Sequence, residues 1–160
     1  MLKQLNNNCF LLLLPLLVWN LCFYSFLPDF FFNETSSSEL ELAETVLRIA
    51  VFGTPLFMRF DFKSKKSKLG FVLYLFGSLL YFLSWIMLIA APESSWSQST
   101  LGLMGPSLSP IIWLLGISLL SKKGFLNIPN LPISYAFVSF FFVGVHSWHM
   151  FMVLSEYKSF

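Results

Sequence analysis

The sequence predicts an all-α integral membrane protein, a polytopic bundle of five transmembrane helices forming a single domain. Three observations lead there. Of 160 residues, 56% are hydrophobic and only 11% are charged, where a soluble domain carries about 25% charged residues. A chain this small leaves much of its surface in contact with solvent, and with so few charges that solvent must largely be lipid. Finally, the apolar residues gather into runs near the ~20 residues that carry a helix across ~30 Å of hydrocarbon, and the lysines cluster between those runs.

The first run is Cys9–Leu27 (CFLLLLPLLVWNLCFYSFL). Lys3 followed by an apolar stretch also fits a cleaved signal peptide. However, the residues that follow offer no small-x-small cleavage site, and Leu21 before Cys22 is too large for a lipoprotein site, so an uncleaved span is expected. Cys9 and Cys22 lie about 20 Å apart on one helix, too far for a disulfide.

The second element, Thr45–Phe62, decides the topology. In the alternative four-span arrangement this segment is re-entrant or interfacial, and Lys63, Lys65, Lys66 and Lys68 fall on the side opposite Lys3. That contradicts the enrichment of lysine and arginine on the inner side. If the segment crosses, Lys3, the Lys63–Lys68 cluster and Lys122–Lys123 all lie inside. The acidic Pro28–Glu44 loop and the Pro92–Thr100 loop then lie outside, and Lys158 alone is misplaced. An interfacial helix needs a polar face. Arg48 and Arg59 do share a face, but Val51, Phe52 and Pro55 lie on it between them. Pro55 should kink the helix, with Thr54 at hand to satisfy a freed carbonyl.

Leu69–Ala91 is the longest run and the plainest span. Leu101–Ser121 carries Pro106 and Pro110. Ser109 and Pro110 fit the N-cap and first position of a helix. The segment is expected as a helix that its prolines simply kink, with a helix starting near Leu101 and broken at Gly105–Pro106, or an irregular segment dipping into the membrane as at binding sites in some transporters, as the alternatives. Ile133–Leu154 is the last span. The amino terminus is therefore expected inside and the carboxy terminus outside, in a multi-pass protein of the bacterial cytoplasmic membrane. The Asn33–Thr35 sequon would matter only in a eukaryotic secretory host.

Composition and motifs exclude several functions. A net charge of +2, confined to tight clusters, gives no nucleic-acid footprint. No phosphate loop, nucleophile elbow, H-E-x-x-H or C-x-x-C sequence is present, and no cofactor is named by any motif. The inner lysines suit anionic headgroups, making membrane lipids the expected partners, alongside a homo-oligomeric or membrane-complex contact.

Five residues are candidates for a ligand-binding site, all expected in the outer half of the membrane: Arg48, Trp85, Glu93, His146 and His149. His146 and His149, three residues apart, share one helix face. Ionisable residues inside spans are costly and usually functional, though histidines also serve as glue between helices. No metal is expected, because these are the only histidines and Glu93 or Glu156 would have to complete the set. Arg48 serves either as a headgroup anchor or as an anion-binding group. It is expected at the level of the histidines and in contact with them. The tryptophans, Trp19, Trp85, Trp96, Trp113 and Trp148, have a ready use as interface belts.

Three functions fit these residues: a protein binding a small molecule or lipid in an intramembrane pocket open to the outer side, an enzyme acting on a lipid or prenyl substrate with a histidine base, or a structural subunit of a membrane complex.

Overall fold

The computed structural model describes residues 7–27, 38–122 and 128–158. Lys3, Asp29, Glu34, the Asn33–Thr35 sequon and Lys123 lie outside the described residues. The chain is helical apart from one two-residue ladder. Its helices are α1 (Phe10–Phe23), α2 (Ser38–Gly53), α3 (Lys65–Ala90), α4 (Thr100–Leu108), α5 (Pro110–Leu120) and α6 (Leu131–Lys158). Helices α4 and α5 run on as one 21-residue rod. Three helices are long and apolar enough to cross a membrane, namely Lys65–Ala90, Thr100–Leu120 and Leu131–Glu156, and the first run forms the shorter apolar helix Phe10–Phe26.

The lysine end of the bundle is tied together by backbone. Strand β1 (Arg59–Phe60) pairs antiparallel with β2 (Ser121–Lys122), Arg59 opposite Lys122 and Phe60 opposite Ser121. Asn8 bridges to Arg59, and the Cys9 amide donates to the Met58 carbonyl at 3.0 Å. The starts of α1 and α3, the chain leaving α2 and the end of α5 therefore meet at one end. The Ser118 hydroxyl adds the start of α6 by donating to the Pro132 carbonyl at 2.6 Å. The chain thus makes five alternating passes through the bundle.

The second segment departs from its expected bounds. Thr45–Phe62 is not one helix: α2 begins seven residues earlier, at Ser38, ends at Gly53, and gives way to a 3-10 turn over Thr54–Phe57. Pro55 explains the change, because its ring removes a donor and crowds the preceding turn. The Thr54 hydroxyl turns back to the Ala50 carbonyl at 2.7 Å. In the fourth segment the break falls at Ser109–Pro110, not at Gly105–Pro106. Ser109 stays in the right-handed helical region, so the rod is kinked by its prolines rather than interrupted by irregular backbone.

The helices close into a ring. Helix α3 packs on α4 and α5, these on α6, α6 on α2, and α2 on α1. The ring closes from α3 to α1 through the Tyr74 hydroxyl, which donates to the Leu12 carbonyl at 2.8 Å, and through Trp19 against Phe82. The tightest seam joins α3 to α5. A Cβ built on Gly116 would lie 2.5 Å from the Tyr74 nitrogen, one on Gly70 2.5 Å from the Leu120 nitrogen, and one on Gly77 2.5 Å from the Trp113 nitrogen. Helix backbones touch there because no side chain stands between them.

Polarity is reversed relative to a soluble protein. On α3, Gly70, Ser78, Tyr74, Tyr81 and Trp85 are buried, while Leu69, Val72, Phe76, Leu79 and Leu83 are exposed. Helix α6 likewise buries Tyr135, Ser139 and Ser147 and exposes Phe137, Phe140, Phe141 and Phe151. A continuous exposed apolar surface of this kind fits a lipid environment.

Two outcomes follow. Gly116→Val should lower thermal stability in detergent, by about 1–3 kcal/mol for an overpacked contact. Gly144→Ala, where a Cβ meets nothing within 4 Å, should leave it unchanged or raise it by up to about 1 kcal/mol, the helix preference of Ala over Gly; an equal loss in both variants would contradict the seam. At the lysine end, Asp61 pairs with Lys122. Lys122 above all, with the Lys63 amide and the Ser67 hydroxyl, holds its carboxyl below the usual range. A depressed folded value means the contribution is present above the unfolded value near 3.8 and fades as pH falls through the folded one. The difference in melting temperature between wild type and Asp61→Asn should therefore be small at pH 7 and vanish in acid; a difference that grows in acid would refute the pair's role.

Candidate functional site

The most prominent polar cluster is built around a residue that hydropathy assigns to the loop. Glu44 lies about 9 Å along α2 from its start, and its side chain is only 6% exposed. One carboxylate oxygen, Oε1, pairs with the Arg48 guanidinium and lies 3.1 Å from His146 Nδ1. The other, Oε2, lies 2.5 Å from His149 Nδ1. The helical spacing accounts for each partner. Arg48 stands four residues after Glu44 on α2, and His146 and His149 stand three apart on one face of α6.

A carboxylate only accepts hydrogen bonds. Both imidazoles therefore turn an Nδ1–H towards Glu44, which sets their orientation. His146 is fixed further by lying parallel on Phe142, the rings 5.5 Å apart and 2° from coplanar. Arg48 remains half exposed, at 52%, and reaches inward only at its tip, as a long-stemmed cation can. Its positive charge is balanced by Glu44, so the cluster is not the vacant cationic clamp that an arginine beside two histidines suggests.

These residues form one wall of a cavity of about 470 Å³. All five passes contribute to it. Leu16 and Asn20 come from α1, Glu44 and Arg48 from α2, and Tyr81 and Trp85 from α3. Pro106 and Trp113 come from the α4–α5 rod, and His146 and His149 from α6. The Tyr81 hydroxyl donates to Asn20 Oδ1 across the cavity lining. Trp85 and Trp113 flank Tyr81, with ring centroids 5.9 and 6.4 Å from it.

Of the candidates read from sequence, Arg48, Trp85, His146 and His149 line this cavity together. Glu93 does not: it is exposed in the turn after α3. Trp85 and Trp113 are buried inside the ring instead of forming a belt, whereas Trp96 and Trp148 are exposed. Glu44, Asn20, Tyr81 and Trp113 were not legible as site residues. For Glu44 there was one signal, its four-residue spacing from Arg48, which supports an ion pair once the helix is known to start before it. Among the described residues, no group of three histidine, cysteine or acidic side chains is arranged to hold a metal ion. A second cavity, of about 570 Å³ beside Lys66, Lys122 and Asn130 at the lysine end, contains none of the candidates.

No protein-family model, curated protein or solved structure matches this chain.

Glu44 should matter more than Arg48 for stability. Glu44→Leu leaves two half-buried imidazoles without their acceptor, a loss of about 1–3 kcal/mol. Arg48→Leu removes a half-exposed guanidinium whose attraction is partly screened by solvent, and it leaves the buried carboxylate both imidazole donors, so its cost should be the smaller of the two. Thermal unfolding of the two variants in detergent checks the order, and an equal or reversed order would show that the histidines do not depend on the carboxylate.

Proposed function

We propose that this is a five-span membrane protein that binds a small molecule or lipid in the cavity between its helices. The cavity carries the reading. It is roomy and mainly apolar, yet it gathers an acid, an arginine, two histidines, an amide and a tyrosine that a purely structural bundle has no need to bring together. Small-molecule sites combine apolar walls with a few convergent polar groups in this way, and ionisable groups at such depth are usually functional.

Five spans are supported by the alternation of the passes and by the outward faces of the two shorter helices. Leu42, Val46 and Ile49 on α2, and Leu11, Leu14, Val18 and Leu21 on α1, are exposed, as lipid-facing side chains should be. With its 3-10 turn, α2 reaches about 30 Å, and α1 with its own reaches about 25 Å; a thinned bilayer accommodates the shorter one. The lysine end faces the cytoplasm by the positive-inside rule. The cavity, bounded by the later turns of α1 and α3 and the early turns of α2, then lies in the outer half of a cytoplasmic membrane.

One observation favours a second reading. A carboxylate holding the Nδ1–H of His146 is the arrangement that orients a histidine base, which would suit an enzyme acting on a lipid or prenyl substrate.

Cysteine labelling tests the topology. In a background without Cys9 and Cys22, cysteines at Lys65 and Ser95 should react from opposite faces of the membrane, and one at Ser155 should match Ser95. Reaction of positions 65 and 95 from the same face would overturn the five-span arrangement.

A further inference from the structure

The wall of the cavity holds two buried indole donors without acceptors of their own. Trp85 and Trp113 are 5% and 3% exposed, and both line it. The Trp85 indole N–H, beside the Tyr81 hydroxyl, and the Trp113 indole N–H both lack an acceptor in hydrogen-bond geometry. Indole nitrogen donates and cannot accept. A buried donor without a partner is costly and calls for an explanation. Asn20 Oδ1 takes the Tyr81 hydroxyl, and the Tyr81 oxygen, the acceptor beside Trp85, stands outside good hydrogen-bond geometry with its indole. The charges are engaged too, since Arg48 and Glu44 pair with each other.

We infer that the cavity takes a neutral, mainly apolar molecule carrying a hydrogen-bond-accepting oxygen, such as a carbonyl, which sits against the indole N–H groups of Trp85 and Trp113. This rests on the cavity being a ligand site. Neutrality follows from the pairing of Arg48 with Glu44, which leaves no uncompensated cation to attract a carboxylate or phosphate. An acceptor follows from the two indoles. An apolar body follows from Leu16, Phe142 and Met150, which complete the walls.

Benzophenone tests this directly. It has one carbonyl between two aromatic rings, fits well within the cavity, and on irradiation bonds to nearby C–H groups. Diphenylmethane has the same rings without the oxygen. With the full-length protein in phosphatidylcholine nanodiscs, saturable benzophenone adducts should map to cavity residues such as Leu16 and Met150 in preference to the exposed Phe140 and Phe151. Diphenylmethane should compete poorly. Trp85→Phe and Trp113→Phe keep the ring and remove the N–H, so each should weaken benzophenone labelling roughly three- to tenfold, the worth of one neutral hydrogen bond, while Trp96→Phe should not. Diphenylmethane competing as well as benzophenone, on the wild-type protein alone, would overturn the acceptor while leaving a binding cavity. Adducts confined to the lipid-facing residues, with no saturable component, would overturn both.

Discussion

The fold turns on a contact in which two helix backbones touch. Gly70 and Gly77 on α3 and Gly116 on α5 leave no room for a Cβ on either side, and this closeness sets the separation of the whole seam. Apolar side chains have little reason to leave lipid for another apolar surface, so packing closeness and interhelical hydrogen bonds must hold membrane helices together. The half of the ring nearer the lysine end is therefore drawn tight. Further along the same helices, the bulky side chains of Trp85 and Trp113 and the kinked Pro106–Pro110 region line the cavity. Tight seam and open cavity thus follow one another along α3 and the α4–α5 rod.

The opposite side of the ring is held differently. Helices α2 and α6 meet through Glu44, whose two oxygens reach His146 and His149 while Oε1 also takes Arg48. A carboxylate removed from water is expensive unless its charge is compensated and its lone pairs are filled, and here three donors do both. A buried pair of this kind is weak support for stability in itself. Its consequence is specificity, because only one rotation of α2 against α6 lets one carboxylate meet both imidazoles. That rotation in turn carries Arg48 to the mouth of the cavity and Phe52 against Phe142.

Some of the site could be read along the chain and some could not. His146 and His149 share a face because helical periodicity makes residues three apart neighbours. Their level with Arg48 could be read from depth along each helix, which is also a local quantity, but no motif required the two helices to meet, and the groups join through Glu44. Glu44 was misplaced because hydropathy starts a span at the first uninterrupted apolar residue, and so discards the polar first turns of α2. Glu93 was misplaced for the converse reason: it lies beside an apolar run, but the turn after α3 carries it into the open. Trp85 was placed at the site by its depth, but Trp113 was indistinguishable from Trp96 and Trp148, since an indole serves equally well at an interface and inside a ring.

What the sequence by itself determined was the all-helical class and the order of the apolar segments. These depend on sums over neighbouring residues: apolar length sets where a helix can run, and lysine clusters set which ends belong together. The β1–β2 ladder and the Asp61–Lys122 pair bring the lysine-bearing turns before α3 and after α5 to one end, as that reasoning requires. What only the tertiary structure decided was which face of each helix turns inward. In a soluble protein hydrophobicity answers that question, but here the outward faces carry aliphatic side chains no less apolar than the interior, such as Val72 and Leu79 on α3. The choice falls instead to glycine contacts and to the few polar groups that need partners, and those depend on which helices become neighbours.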